Sequence, residues 1–232
     1  MRTKKGSASD QGGWHAAREQ SRSPMVECFE TAQTKVYDVD ETLFAQGEPA
    51  KGIFLIRSGN VKVWIGSSQG KQSILRIGKA GDVLGLHSAL SSASYHASAQ
   101  MLDAGSVSFM SQREFARYMN ESESFSSALM RTVGHQFGQL VSHVRLLLSG
   151  SVKEKLAKLI VQWANDFGEE TSEGTRIPNL LTHEEIAQII GASRETVTRL
   201  LSTLRRKQIV KTNNGSLWIL NWAALNSSAR QF

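Results

Sequence analysis

The chain holds a single cysteine in 232 residues, carries fewer acids than bases, and has no long apolar run. One thiol, Cys28, excludes an intramolecular disulfide framework and any thiolate cluster built by one chain. No window approaches the about 18 apolar residues that a membrane span requires, so an integral membrane protein is excluded. The opening stretch, MRTKKGSASDQGGWHAAREQ, is basic but has no apolar segment of the kind a secretory leader carries. The expected compartment is therefore the cytoplasm, with no membrane partner. Catalytic constellations are missing too. There is no nucleophile, histidine and acid order with motif context, no Gly-Lys phosphate loop and no metal-ligand spacing. These absences argue against an enzyme.

What remains is a deficit of acids, 21 against 27 bases, giving a net charge of +6. A basic balance points to a polyanionic partner without saying where it binds. Its distribution says more. Residues 1–24 carry +3, residues 25–150 balance, and residues 151–232 carry +3 again. The length suggests two domains, each able to bury a core. Residues 1–24, rich in Gly, Ser and Gln and without apolar period, read as a disordered basic tail, with Met25 as an alternative start. From about residue 34 to 110, short β-type runs such as GIFLIRSG, NVKVWIG and QSILRIG alternate with glycine turns, the pattern of a closed or double-sheet β architecture.

Residues 111–149 turn helical, with the dimerisation helix at 121–149. Leu129, Val133, Phe137, Leu140, Val144 and Leu147 recur at spacings of three or four, with Gln136 interrupting the stripe and Met130, Val141 and Leu148 widening it. This resembles a coiled-coil seam and predicts a dimer interface; the alternative is a helix packed on its own β domain.

The strongest local pattern begins at Leu181, LTHEEIAQIIGASRETVTRLLSTLRRK. Thr182 and Glu185 have capping-box spacing, and Ile186, Ala187 and Ile190 form the inner face of a short helix. Gly191 ends that helix where a positive φ is needed. Ser193 caps a second helix with inner face Val197, Leu200, Leu201 and Leu204. This is a helix-turn-helix, its second helix aimed at the major groove. The outer face presents Arg194, Glu195, Thr198 and Arg199, the candidates for base readout; arginine suits guanine O6 and N7, and glutamate suits cytosine N4. Thr182, Ser193, Arg205 and Lys211 are candidate phosphate contacts. KQIVKT, then NNG, then SLWIL reads as a hairpin, making the reader a winged helix.

Together these segments resemble the Crp/Fnr superfamily of bacterial transcription regulators, over about residues 34–222. LFAQGEPAKGIFLIRSGNVKV is similar to that family's cyclic-nucleotide-type β-roll, and GASRETVTRLLSTLRRKQIV is the most specific portion. The resemblance implies an α+β protein with a β-roll sensor (a jelly-roll, double-stranded β-helix) at 25–120, a dimerisation helix at 121–149 and a winged helix-turn-helix at 150–232. It implies a homodimer on double-stranded DNA that contacts RNA polymerase. Arg194, Glu195 and Arg199 would read half-sites of the TGTGA sort.

The sensor departs from the family's best-known branches. A cyclic-AMP binder has Glu after the glycine at Gly85 and an Arg-Ser pair further on; here stand Leu86, His96 and Ala97. Leu140 and Val141 replace the Thr-Ser pair that meets the adenine. Without the arginine the cyclic phosphate loses its strongest bonds, so cyclic AMP is not expected in the usual mode. An iron–sulfur switch needs four cysteines and is excluded by the same count. The candidate effector positions are Gly85, Leu86, His87, His96, Ala97, Leu140 and Val141. They leave an apolar effector, no effector at all, or a haem ligated by His87 or His96 as alternatives. Cys28 reads as incidental, with a redox-responsive interchain disulfide as the other possibility.

Overall fold

The computed structural model describes residues 24–91, 94–178, 181–213 and 215–229, so the expectation for the tail falls almost wholly outside it. Helix α1 (Pro24–Glu27) leads into β1 (Gln33–Tyr37), β2 (Thr42–Phe44), β3 (Gly52–Ser58), β4 (Val61–Gly66), β5 (Gln72–Gly78) and β6 (Val83–Leu84). Helix α2 (Leu86–Ser91), β7 (Ser98–Met101) and β8 (Gly105–Ser111) complete the sensor strands. These pair antiparallel into two four-stranded sheets, β1-β8-β3-β6 and β2-β7-β4-β5, which face each other as a roll.

Strand β3 explains why GIFLI is apolar at successive positions instead of alternating: it is buried on both faces. Phe54 and Ile56 enter the roll interior with Phe44, Tyr95, Met101 and Val107. Ile53 and Leu55 pack outward with Met25, Phe29, Leu86, Phe115, Phe125 and Leu129. The first residue of β3 has to be glycine, because a Cβ on Gly52 would lie 2.0 Å from the Met110 carbonyl oxygen.

Helix α3 (Gln112–Glu121) starts in a Ser111/Glu114 capping box and gives way at Ser122 to the long α4 (Glu123–Leu148). The apolar residues of α4 divide between two faces, and this corrects the expected seam. Leu129 is 2% exposed within the sensor core, Val133 packs against the same core, and Gln136 donates to the Val83 carbonyl at 2.8 Å. Leu147 lies against Gly191 of the reader. Leu129 is thus spent within the subunit, while Val133 and Leu147 stay half-buried and keep part of their surface free. The outward stripe is Met130, Phe137, Leu140, Val144 and Leu148, exposed by 45–80%. A spacing of three or four tells which residues share a stripe, and α4 is apolar enough to carry two adjacent stripes, so a choice one residue off is easily made. Replacing Leu129 by alanine should therefore cost about 2–5 kcal/mol of stability without changing oligomeric state. Urea unfolding alongside light scattering checks this; loss of assembly with unchanged stability would return Leu129 to an interface.

The C-terminal part is α5 (Val152–Phe167), β9 (Glu169–Thr171), β10 (Gly174–Pro178), α6 (His183–Ile190), α7 (Arg194–Arg206), β11 (Val210–Asn213), β12 (Ser216–Ile219) and α8 (Trp222–Ala229). The expected hairpin β11–β12 forms with Asn213 opposite Ser216, and Gly215 takes φ +72°. It is half of a four-stranded sheet, β11-β12-β10-β9, because β10 pairs along the other edge of β12. Leu156, Ile160, Ile186, Ile190, Val197, Leu201, Leu204 and Ile219 make the core of this part, and Ile74 of β5 joins it with no exposed surface. Among the described residues, no helix is long and apolar enough to cross a membrane.

Candidate nucleic-acid interface

The geometry of the reader is set by its caps. Thr182 accepts from the Glu185 amide at 3.2 Å, while Glu185 Oε2 accepts from the Thr182 amide at 2.9 Å and its hydroxyl at 3.0 Å. That reciprocal box satisfies orphan donors at the start of α6. Burial raises the Glu185 carboxyl, but hydrogen bonds from Thr182 and the Lys62 ammonium outweigh it and leave the group below its ordinary range. Gly191 closes α6 in the left-handed conformation, φ +64° and ψ +47°. Ser193 then caps α7, its hydroxyl accepting from the Thr196 amide at 3.3 Å. Fully or nearly buried Val197, Leu201 and Leu204 fix which side of α7 faces inward.

Arg194, Glu195, Thr198 and Arg199 consequently share the exposed face of α7. Among the described residues, no carboxylate forms an ion pair with Arg194, Arg199, Arg205, Arg206 or Lys207. A helix face with unneutralised guanidinium groups at its N-terminal turns is suited to a polyanion and to the bidentate donors of base edges. The Glu195 carboxyl is held below its usual range by hydrogen bonds from its own amide and the Ser193 side chain, so it stands ionised as an acceptor. The Thr198 hydroxyl is already engaged, donating to the Arg194 carbonyl at 2.9 Å and lying 2.9 Å from His183 Nδ1.

The candidate phosphate contacts fare unequally. Arg205 bridges α7 to the wing, reaching Ser202 at 3.0 Å and Thr212 at 3.3 Å. Lys211 is ion-paired with Glu173 on the β9–β10 turn and lies over the Trp218 ring, so its charge is partly answered within the chain. Neither His183 as a strut beneath Thr198 nor Glu173 as the partner of Lys211 carries a signal in local spacing. The first joins the two consecutive helices of the reader across 15 residues and the second joins β11 to the β9–β10 turn across 38, spans that no local spacing rule covers.

The candidate effector positions divide between the interior and the surface of the sensor. Leu86, expected to line a pocket, is 1% exposed inside the helix-side core, which corrects that reading. Gly85 keeps φ +80°, with Tyr95 and the Gly52 carbonyl close to where a Cβ would stand. His87 and His96 are both exposed and turn Nδ1 toward Nδ1 at 3.2 Å, with Ser88 Oγ also 3.2 Å from His96. Ala97 and Val141 are half-buried, and Leu140 belongs to the outward stripe of α4. Inside the roll, Phe44 stacks on Tyr95 at 4.2 Å. A cavity of about 550 Å³ opens at the roll against Tyr37, Phe44, Phe54, Tyr95, Val107 and Phe109, and one of about 180 Å³ opens beside α4 against Arg76, Asp82, Arg131, His135, Gln136 and Gln139. Burial, helped by Glu27, pushes the Cys28 thiol above its usual range, away from the reactive thiolate.

Comparison with known proteins agrees with this arrangement. Residues 34–122 match the cyclic nucleotide-binding domain family, and residues 154–228 match the Crp-like helix-turn-helix domain family. The chain is similar to the anaerobic regulatory protein of Bacillus subtilis, 28% identical over 86% of this chain and 84% of the relative. It is similar to the CRP-like cAMP-activated global transcriptional regulator of Mycobacterium tuberculosis, 28% identical over 82% and 84%. Among solved structures, FixK2 from Bradyrhizobium japonicum superposes with a TM-score of 0.75 at 20% identity, covering 84% of this chain and 96% of that one.

Proposed function

The chain belongs to the Crp/Fnr family of transcription regulators, and on that premise we propose that it works in the cytoplasm as a homodimer reading a two-fold symmetric operator. The observation that carries this reading is the exposed face of α7, where Arg194 and Arg199 stand, among the described residues, without carboxylate partners on a helix fixed by its buried side. Arg194 and Arg199 take guanine edges, and Glu195 accepts from cytosine N4. Thr182, Ser193 and Arg205 position the domain on phosphates, with Lys211 contributing less because of Glu173. The functional divisions are a sensor at 25–120, a dimerisation helix at 121–149 and a reader at 150–232. The outward stripe of α4 supplies the interface between subunits, and RNA polymerase is the protein partner on DNA.

The sensor belongs to a family that includes cyclic-nucleotide binders, but its arrangement supports no cyclic-AMP contact of the usual kind. Leu86 is withdrawn into the core, and no arginine stands at positions 96–97. A constitutive regulator, whose roll serves as scaffold, is the second reading; the dispersal of the candidate effector positions favours it.

Binding-site selection from random DNA, run with purified protein and again with cell metabolites, tests both. An inverted repeat with half-site centres about 10 base pairs apart, or a multiple of that, is the expected result. Recovery of no common sequence would sink the specific-reader proposal. Enrichment that arises only with metabolites would sink the constitutive one.

A further inference from the structure

One carboxylate ties the reader to the sensor. Glu185 spends Oε2 on the cap of its own helix and gives Oε1 to the Lys62 ammonium on strand β4, 2.9 Å away. The two side chains are 16% and 15% exposed, so water screens this pair far less than a surface contact. Two more bonds cross the same boundary. The Ser73 hydroxyl donates to the Gln188 carbonyl at 3.3 Å, and the Lys79 ammonium donates to the Asp166 carbonyl at 3.4 Å. Between them Ile74 packs in the reader's core, with Trp64, Ile77 and Leu102 of the sensor against its rim.

These contacts do different things. Apolar burial is non-directional and brings the two surfaces together at many angles. A charge-assisted hydrogen bond is directional and selects one. Lys62 holds the first turn of α6, Ser73 holds its last, and α6 packs on α7 through Ala187 and Ile190. An orientation imposed on α6 is therefore imposed on α7.

We infer that Lys62 is a positioning residue for DNA recognition: through Glu185 it fixes α6, and with it α7, at one angle to the sensor. Two recognition helices can meet two half-sites only at a set separation, so a reader free to rock on Ile74 spends binding energy on ordering. This rests on the proposal that α7 reads operator DNA.

The test uses the full chain, Lys62→Met, Lys62→Arg and, should the methionine variant not fold, Lys62→Gln. Hydrogen exchange is followed without DNA, and affinity is measured on the selected operator and on a random duplex. Lys62→Met should speed exchange of the α6 amides and weaken operator binding about tenfold. Random-duplex affinity and the thermal midpoint should stay put, and Lys62→Arg should restore the operator. Unchanged α6 exchange with unchanged operator affinity overturns the inference. So does a rise in operator affinity, because the pair would then hold the reader in a posture that does not fit DNA, and so does a loss that arginine fails to restore. Should the wild-type protein select no sequence, it is the reading of α7 that fails, while the exchange measurement still reports whether Lys62 holds α6.

Discussion

Replacing Arg199 or Arg194 by alanine is expected to weaken operator binding by about 1–3 kcal/mol, which is about 5- to 150-fold, and to relax the preference at one base position. The size follows from where these side chains stand. Each is exposed on the outer face of α7, unpaired with any carboxylate among the described residues, so little intramolecular bonding is given up when a guanine edge is met. Truncation removes a bidentate donor and leaves guanine O6 and N7 facing water or nothing. The fold should tolerate either change, because the helix is held from its other side by Val197, Leu201 and Leu204. Fluorescence anisotropy on operator and random duplexes measures both numbers. Equal losses on the two would reduce these arginines to phosphate contacts.

Leu140→Asp is expected to give a monomer whose operator affinity falls toward the nonspecific level, which for specific regulators lies about 10³-fold or more below the specific one. Leu140 is 46% exposed within the subunit and sits midway along the stripe from Met130 to Leu148. A carboxylate placed there would lose its hydration on dimerisation and face apolar side chains, a cost that a seam this long cannot absorb at the centre. Within one subunit the same change costs little, since the position is already wet. Sedimentation and operator titration check both effects; a Leu140→Asp variant that remains a stable dimer would place the interface elsewhere.

The difference between Leu129 and Leu140 shows where sequence reading stops. Both lie on one apolar period of α4, yet one closes the sensor core and the other faces solvent. Periodicity reports that a helix has an apolar side, and the surface that covers that side is set by strands β3, β6 and β8, which local spacing does not reach. The caps and the turn of the reader are legible because their physics is local: Thr182 and Glu185 are three residues apart, and Gly191 meets a positive φ that only the intervening chain determines. The β11–β12 hairpin is legible for the same reason. β9 and β10 are not, because EET and GTRIP are short and only the pairing of β10 along β12 makes them strands. His183 beneath Thr198, Glu173 against Lys211 and Lys62 against Glu185 all join distant positions, and no spacing rule reaches them. Leu86 escapes sequence reading for a related reason. A substitution pattern tells that the usual polar group is missing, but it does not tell that the replacement has turned into the neighbouring core.

Ile74 bears on how freely this protein can be recombined. Its side chain is supplied by a sensor strand, has no exposed surface and is part of the reader's apolar core, with Trp64, Ile77 and Leu102 of the sensor beside it. A boundary drawn between the domains in sequence therefore cuts through a packed interior in space. Removing the sensor would open a hole in the reader's own core and bare the side of α6 that β5 covers. The reader is consequently not a portable cassette: a chimera in which it is grafted onto another roll inherits a gap where this isoleucine is buried, and has to fill it with apolar surface of its own.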